Sequence, residues 1–137
     1  MAHENLSTEN SVRHGVLRWR SDARTGPQRK NDRPEAACLL EVMKTLRGHP
    51  AVAWVERQNS GGFKDGLGQF VRFGWPGCSD ILGQLRDGRI LAVEVKAPGG
   101  RLSESQQIFL NRVRAAGGVA FVATSAVDVI RNIPEMP

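Results

Sequence analysis

Two short apolar segments on either side of Asp87-Gly88 constrain the fold more than any other part of this chain. Asp-Gly between such segments is a strong signal for a β-hairpin. Side chains of a strand alternate between its two faces, so residues 90–96 place Leu91, Val93 and Val95 on one face and Ala92, Glu94 and Lys96 on the other. The pattern predicts a hairpin that presents Glu94 and Lys96 on the same side.

The length of the turn decides whether Asp80, just before the first strand, faces the same way as Glu94. A two-residue turn would place Asp80 on the opposite face, because a shift of one residue exchanges the faces of a strand. A three-residue loop over residues 86–88, with Gly88 in the left-handed conformation, would place Asp80 opposite Glu94. We predict the three-residue loop, or a bulge of equal effect.

The remaining hydrophobic pattern predicts further helices and strands around this hairpin. In chain order we expect a helix over residues 34–48, a strand over 51–57, a Gly-rich loop, an extended segment over 69–73, the hairpin, a helix from Ser103 to about 116, a strand over 119–123 and a short helix from Ser125. A late strand–helix–strand unit implies a parallel crossover. The fold class is α/β (α+β), a mixed sheet flanked by helices in the order α-β-β-β-α-β-α.

Length and charge divide the chain into an arm and a domain. Residues 1–33 are rich in Ser, Thr, Asn, Arg and Gly, so we expect a basic, mostly disordered N-terminal arm in which Val16, Leu17 and Trp19 could form a short element. Residues 34–137 then form one folded domain. The net charge of +5, from 19 Lys and Arg against 14 Asp and Glu, favours a polyanionic partner.

Several classes of protein do not match this sequence. It has neither a signal-peptide pattern nor an apolar segment long enough to span a bilayer, so we expect no membrane partner and a cytosolic location, in a bacterium or a virus-infected host. Two cysteines and three scattered histidines share no zinc-site spacing. We expect reduced thiols and no zinc.

Two carboxylates and an ammonium at the end of one hairpin can surround a hard cation. Oxygen ligands in this number suit Mg²⁺ or Mn²⁺, which neutralise a phosphate and lower the pKa of a bound water. The simpler interpretation is a solvated ion pair between Glu94 and Lys96, as in most isolated Glu-x-Lys motifs. Here the flanking residues are apolar, and unneeded charges in a buried strand are expensive. We therefore favour a site for phosphodiester hydrolysis.

Two further polar residues each have two interpretations. Glu35 lies at the start of the apolar face of the first predicted helix, where it can approach the site or simply interact with the helix dipole. Gln106 stands three residues after Ser103, as in a capping box. Its second interpretation, as a residue that reaches the site, needs support from outside the local pattern.

That support comes from a family resemblance. The segments RFGWPGCSDILG at 72–83, LAVEVK at 91–96 and LSESQQIF at 102–109 resemble the VRR-NUC domain, the virus-type replication-repair nucleases of the PD-(D/E)XK superfamily. Glu35 and residues 57–61 also resemble the family's first helix and the end of its first strand. The resemblance covers about residues 34–125 and leaves the N-terminal arm unassigned.

The resemblance implies a restriction-endonuclease-like fold and hydrolysis of nucleic-acid phosphodiesters with Mg²⁺ or Mn²⁺. It implies that Asp80, Glu94 and the backbone carbonyl of Val95 bind the metal and that Lys96 is the catalytic lysine. Glu35 would be an additional acid near the metal. Gln106 would reach into the site from its helix.

Basic and aromatic residues near these motifs suggest how a substrate is held. Phosphate contacts are expected from Arg57, Lys64, Arg72 and Arg101, and neutral hydrogen bonds from Asn59 and Ser60. Solvated surface charge is the alternative for each. Trp75 could stack on an unpaired base, although core packing is the commoner role of a lone Trp, and Trp54 is expected in the core.

Two classes of function remain at this point. The first is a metal-dependent endonuclease for DNA, acting on branched, flapped or junction structures in replication, recombination or repair. The second is a non-catalytic or accessory nucleic-acid-binding module with a nuclease-like fold. A homodimer would let so small a domain cut two strands. A replication or repair protein is a further candidate partner.

Overall fold

The computed structural model describes residues 33–135. Their elements are α1 (Glu35–Gly48), β1 (Val52–Arg57), β2 (Gly61–Lys64), β3 (Phe70–Phe73), β4 (Ile81–Leu85), β5 (Ile90–Val95), α2 (Glu104–Ala115), β6 (Val119–Ala123) and α3 (Ala126–Asn132). The predictions for the N-terminal arm fall on residues outside this range, apart from Arg33.

The main sheet is mixed and has the strand order β1-β4-β5-β6. β1 pairs with β4 and β4 with β5 in antiparallel fashion, whereas β6 runs parallel to β5 after the crossover through α2. The strands of this sheet and the three helices follow one another in the predicted order. The expectation of a mixed sheet flanked by helices is therefore confirmed.

The predicted register of the central hairpin is also confirmed. Ile81 pairs with Val93, and the same register continued outward brings Asp80 opposite Glu94. At the turn, the Leu85 N–H donates to the Arg89 carbonyl at 2.9 Å, which leaves three residues in the loop. Gly88 has φ +93°. A side chain is strained in this left-handed region, so glycine here fixes the loop that sets the register.

Helices cover both faces of the sheet. The larger core cluster contains Leu91, Val93 and Val95 of β5 together with apolar residues of α1 and α3. The smaller cluster contains Ala92 of β5 with Phe109, Leu110 and Val113 of α2. The alternation of β5 thus separates two cores, and Glu94 lies on the α2 side of the sheet.

The expectation that Trp54 lies in the core was wrong. The side chain of Trp54 is 50% exposed and donates its Nε1–H to Gln84 at 3.1 Å. The physical reason is a bulge between Val52 and Trp54, which moves Val55 rather than Trp54 onto the buried face with Val52.

A second, two-stranded sheet formed by β2 and β3 stands apart from the main sheet. The extended segment over residues 69–73 was predicted, but residues 61–64 were expected to be a Gly-rich loop and instead pair with β3. All eight strand residues are exposed. We call this unit the aromatic hairpin because it carries Phe63, Phe70 and Phe73.

A long-range contact fixes the last helix. The Ala126 N–H, at the start of α3, donates to the Glu41 carboxylate of α1 at 2.7 Å, and Glu41 also pairs with Arg33. Asp128 accepts from the backbone N–H of Thr124 at 2.8 Å. Glu41 thus links two helices, because it caps the start of α3 from α1.

Candidate functional site

The most unusual side chain in the sheet is Glu94, a carboxylate with 1% exposure in the middle of the fold. Its Oε1 atom lies 3.0 Å from the Lys96 ammonium and accepts a hydrogen bond from the Gln106 side-chain amide. Its Oε2 atom is buried and has no hydrogen-bond partner. A buried acceptor left without a partner is costly, so this oxygen is positioned for a ligand.

Gln106 combines the two roles that the sequence left as alternatives. Its side-chain oxygen accepts from the backbone N–H of Ser103 at 2.9 Å, and its backbone N–H donates to the Ser103 hydroxyl at 3.3 Å. These bonds form a capping box at the start of α2. Because the oxygen faces Ser103, the amide nitrogen is free to donate to Glu94, so the helix start orients the carboxylate.

Asp80 lies where the β4–β5 ladder ends. Its Oδ2 atom accepts from the Val95 N–H at 2.8 Å. This side-chain oxygen replaces the backbone carbonyl that would accept from Val95 if the β4–β5 ladder continued past Ile81. Its own carbonyl accepts from the Gln58 N–H at 2.7 Å. The two backbone groups of one strand residue point the same way, so the Val95 carbonyl is directed toward Asp80 as well.

Burial and charge shift the pKa values of the groups around Glu94. Burial raises the pKa of Glu94, the hydrogen bond from Lys96 opposes this rise, and the charge of Asp80 adds to it. Burial alone would lower the pKa of Lys96, but the hydrogen bond and charge of Glu94, with the charges of Glu35 and Asp80, outweigh it and raise that pKa. Lys96 is therefore protonated at neutral pH.

Cys78 borders the same cluster. Burial raises the pKa of its thiol, and the charges of Glu94 and Asp80 raise it further. Both cysteines, Cys38 and Cys78, are free and buried. The neighbouring Ser79 was not singled out in the sequence, yet its hydroxyl is buried without a hydrogen-bond partner beside Asp80. Only its place between Cys78 and Asp80 could have drawn attention to it.

A cavity of about 440 Å³ opens beside Asp80 and Val95. Glu35 and Arg57 line it, together with Ala36, Leu39 and Leu40 of α1. The structure thus brings Glu35 to the cavity that contains Asp80. An exposed cleft with one cation and two acids on its wall can admit a phosphate group close to the end of β5.

The donor atoms at this end of β5 fit a hard divalent cation. Within the described part of the chain, no group of three or more His, Cys, Asp or Glu side chains forms a cluster that could hold a metal ion. The available oxygens come from Asp80, the unpartnered Oε2 of Glu94 and the Val95 carbonyl. Mg²⁺ commonly uses one or two carboxylates and takes its other ligands from water and substrate phosphate, so this small set suits it.

The candidate nucleic-acid contacts are all exposed but are spread over three places. Arg57 lies at the cavity beside Asp80, whereas Lys64 and Arg72 lie on the aromatic hairpin. Asn59 and Ser60 form the start of that hairpin, and Arg101 precedes α2. Trp75 is 59% exposed and packs edge-on against Phe109, with 5.2 Å between ring centres. Its expected core role was therefore wrong.

One of three comparisons with known proteins gives a match. The family model of the VRR-NUC domain matches residues 7–127. The match starts within the N-terminal arm, before the first residue of the resemblance noted in the sequence. Searches of curated proteins and of solved structures found no match. No helix in residues 33–135 has the length and apolar character needed to cross a membrane.

Proposed function

The chain belongs to the VRR-NUC family, and from this premise we propose that it is a Mg²⁺- or Mn²⁺-dependent endonuclease of the PD-(D/E)XK type. A VRR-NUC domain implies a nuclease-type function in DNA repair. The observation that carries the finer proposal is the buried carboxylate of Glu94, whose Oε2 has no partner in a site shared with Asp80 and Lys96. A domain that only bound nucleic acid would gain nothing from this costly arrangement.

Asp80, Glu94 and the Val95 carbonyl would hold the ion. When bound, it would supply charge neutralisation of the scissile phosphate and acidification of a water molecule. Glu35, on the wall of the adjacent cavity, is an additional acid on the side from which substrate enters.

Lys96 has two roles in this proposal. Its ammonium donates to Oε1 of Glu94 and leaves Oε2 available as a ligand. It also provides a fixed positive charge close to the reacting phosphate, where developing negative charge is stabilised by a preorganised donor. Gln106 is a positioning residue, because it contacts Glu94 and holds the carboxylate in place.

The substrate in this proposal is DNA with a branched, flapped or junction structure. Arg57 beside Asp80 would contact the phosphate next to the one that is cut, since both line one cavity. The more distant Lys64, Arg72 and Arg101 would extend the contact along the backbone. A homodimer would place two such sites on a duplex, and a replication or repair protein remains a proposed partner.

Cleavage of a substrate panel tests the proposal. Duplex, nicked, flapped and four-way DNA would be incubated with Mg²⁺, Mn²⁺ or EDTA and with wild type, Asp80→Ala or Lys96→Ala. We expect metal-dependent cleavage by wild type and a loss of roughly 100- to 1,000-fold or more in both variants. The exposed Glu104→Ala and Lys44→Ala are matched controls that should cleave normally.

Two results would contradict the proposal. The first is wild type that binds the panel but cleaves nothing with either metal, which would favour a non-catalytic or accessory module. The second is cleavage that persists in Asp80→Ala and in Lys96→Ala. A pull-down with the N-terminal arm would separate a non-catalytic module from a subunit that cuts only when a partner recruits it.

A further inference from the structure

The aromatic hairpin has two faces of different chemistry. Its register pairs Gly62 with Arg72 and Lys64 with Phe70, so these four residues share one face, which we call the basic face. The opposite face carries Phe63 and Phe73 with Gly61 and Val71. Both faces are solvent-exposed, with Phe63 55%, Phe70 60% and Phe73 50% exposed. A two-stranded sheet of this kind has little stability of its own. Exposed aromatic rings clustered on it indicate a binding surface, because they add no packing to the core.

Glycine makes room for the aromatic rings. A Cβ atom on Gly62 would stand 2.3 Å from the Phe70 ring, and one on Gly61 would stand 3.0 Å from the Phe73 ring. The two rings therefore lie over bare backbone, Phe70 on the basic face and Phe73 on the opposite face. Beside them is a cavity of about 290 Å³, lined by Gly61, Gly62, Phe70, Arg72, Phe73, Ser60 and Pro76. This volume is at the lower end for ligand pockets and suits one flat ring system.

The charge of the hairpin favours an anionic ligand. The Arg72 guanidinium lies over the Phe70 ring, 5.8 Å from its centre, and Lys64 is the cross-strand partner of Phe70. The only acid between residues 59 and 76 is Asp65. Its carboxylate is occupied at the turn, where it accepts from the Leu67 and Gln69 N–H groups. The basic face therefore combines an aromatic surface with cations that no neighbouring acid on the hairpin neutralises.

The hairpin is anchored at the candidate metal centre. At its base, the Gln58 N–H donates to the Asp80 carbonyl at 2.7 Å, and the chain leaves β3 directly into the segment that ends at Asp80. Gly74 fits closely against this base, since a Cβ atom there would stand 2.5 Å from the Asn59 carbonyl oxygen. The cavity and the metal centre are thus joined by a short, tightly packed segment of backbone.

We propose that the cavity beside Phe70 and Arg72 binds one unpaired base of a DNA substrate. An aromatic ring stacks on a base, and the adjacent Lys64 and Arg72 contact its phosphates. A paired base inside a duplex is stacked on both sides and cannot enter. This site would therefore select DNA with an unpaired nucleotide near the scissile phosphate. The proposal rests on the proposed function and specifies the substrate of that function.

Binding measurements test the proposal independently of cleavage. Fluorescence anisotropy in EDTA, or with Ca²⁺ as the only divalent cation, would compare a flapped DNA with a blunt duplex of the same length. Phe70→Ala should weaken flap binding by about 5- to 150-fold, as expected for one lost stacking contact, and should leave duplex binding nearly unchanged. Phe63→Ala is the matched control, because Phe63 is similarly exposed but does not line the cavity.

A base-by-base readout locates the contact. An abasic nucleotide placed at successive flap positions should weaken binding to wild type at one position and have no further effect in Phe70→Ala. 2-Aminopurine at that position should lose fluorescence on binding to wild type but not to the variant.

Three outcomes would overturn the stacking site. The first is that Phe70→Ala loses as much affinity for the duplex as for the flapped DNA. The second is that Phe63→Ala loses as much affinity for the flapped DNA as Phe70→Ala does. The third is a changed oligomeric state of Phe70→Ala in sedimentation, which would make the hairpin a protein interface. Wild type that shows the Phe70-dependent flap preference but never cleaves would contradict only the proposed nuclease activity. Cleavage without that preference would contradict only the stacking site.

Discussion

β5 and the aromatic hairpin depart from ordinary burial in opposite directions. From Leu91 onward β5 is buried, yet it contains the carboxylate of Glu94. The aromatic hairpin is exposed throughout, yet it carries three phenylalanines. Proteins rarely bury an acid that is not fully paired, and a cluster of exposed apolar residues usually marks a binding surface.

The two regions are linked through Asp80, which lies opposite Glu94 and whose carbonyl accepts from the Gln58 N–H at the base of the aromatic hairpin. Glu94 receives hydrogen bonds from Lys96 and Gln106 that hold its carboxylate in place, whereas Phe70 and Phe73 lie over glycine backbone beside an open cavity. Packing against α1 and α2 gives the main sheet its stability, and that stability supports the buried acid. The hairpin contributes little to stability and is free to serve recognition.

The largest expected effect separates the two regions by stability. Leu91→Ala, in the fully buried part of β5, should lower the free energy of unfolding by about 2–5 kcal/mol because it leaves a cavity in the core. Phe63→Ala should change it by less than about 0.5 kcal/mol, as for most exposed positions. Urea denaturation of both variants provides the measurement. A large loss in Phe63→Ala would mean that the hairpin packs against something that stabilises the fold.

The next effect tests whether Gln106 serves the site or only its helix. Gln106→Glu keeps an acceptor for the capping box but places a negative charge beside Glu94 instead of an N–H donor. Cleavage of flapped DNA should fall roughly 10- to 100-fold, the effect of one lost charge-assisted hydrogen bond. The acceptor for the helix cap is kept, but the lost donor and the repulsion between two carboxylates should also lower the free energy of unfolding.

Ser103→Ala is the complementary control for this prediction. It removes the capping hydroxyl and should cost about 0.5–2 kcal/mol of stability while cleavage stays close to wild type. Cleavage that falls as far in Ser103→Ala as in Gln106→Glu would assign Gln106 to the helix alone.

A pH titration of stability compares two carboxylates with opposite shifts. Because burial raises the pKa of Glu94, the native state retains this proton to a higher pH than the unfolded chain does. The group favours folding below its unfolded pKa, and this contribution is lost as the pH rises through the raised native pKa. The Tm of Glu94→Gln should therefore rise relative to the Tm of wild type as the pH increases from 4 to 8 in EDTA.

Glu41 provides the opposite sign. The backbone hydrogen bond from Ala126, followed by the contact with Arg33, lowers the pKa of Glu41, so its contribution is present above the unfolded pKa and is lost as the pH falls. Glu41→Gln should thus lose Tm relative to wild type at neutral pH and approach it under acidic conditions. If the Tm difference from wild type changed with pH in the same way for both variants, burial would not make the ionised form of Glu94 unfavourable.

The smallest effect concerns two turns with the same backbone strain. Gly88 and Gly68 have φ +93° and +78°, in the central hairpin and the aromatic hairpin respectively. Gly88→Ala should lower the free energy of unfolding by about 1–2 kcal/mol, the cost of a side chain in the left-handed region. Gly68→Ala should have a smaller effect, because an exposed hairpin can open locally without global unfolding. Equal losses by urea denaturation would show that both hairpins unfold as one unit.

Local chemistry made much of the main sheet predictable. The alternation in residues 90–96 and the left-handed glycine at position 88 together specify the face and the register of β5. These signals lie within a few residues of one another, so no distant contact is needed to interpret them. The capping box of Ser103 and Gln106 is local in the same way.

The features that escaped prediction depend on contacts between distant parts of the chain. A bulge in β1 decides that Trp54 is exposed, and no pattern in β1 alone reveals it. Glycines favour loops, yet residues 61–64 form a strand because aromatic rings from β3 cover them. The second role of Gln106 required the distance between α2 and β5, which sequence spacing does not give.

Binding of Mn²⁺ tests the central claim most directly, because it does not depend on the substrate. Calorimetric titration would compare wild type with Asp80→Asn and Glu94→Gln, and with Glu104→Gln as a control that removes an exposed charge near the start of α2. We predict Mn²⁺ binding by wild type and by Glu104→Gln, and its loss in the other two variants. Unchanged binding in both Asp80→Asn and Glu94→Gln would contradict a metal centre at the end of β5.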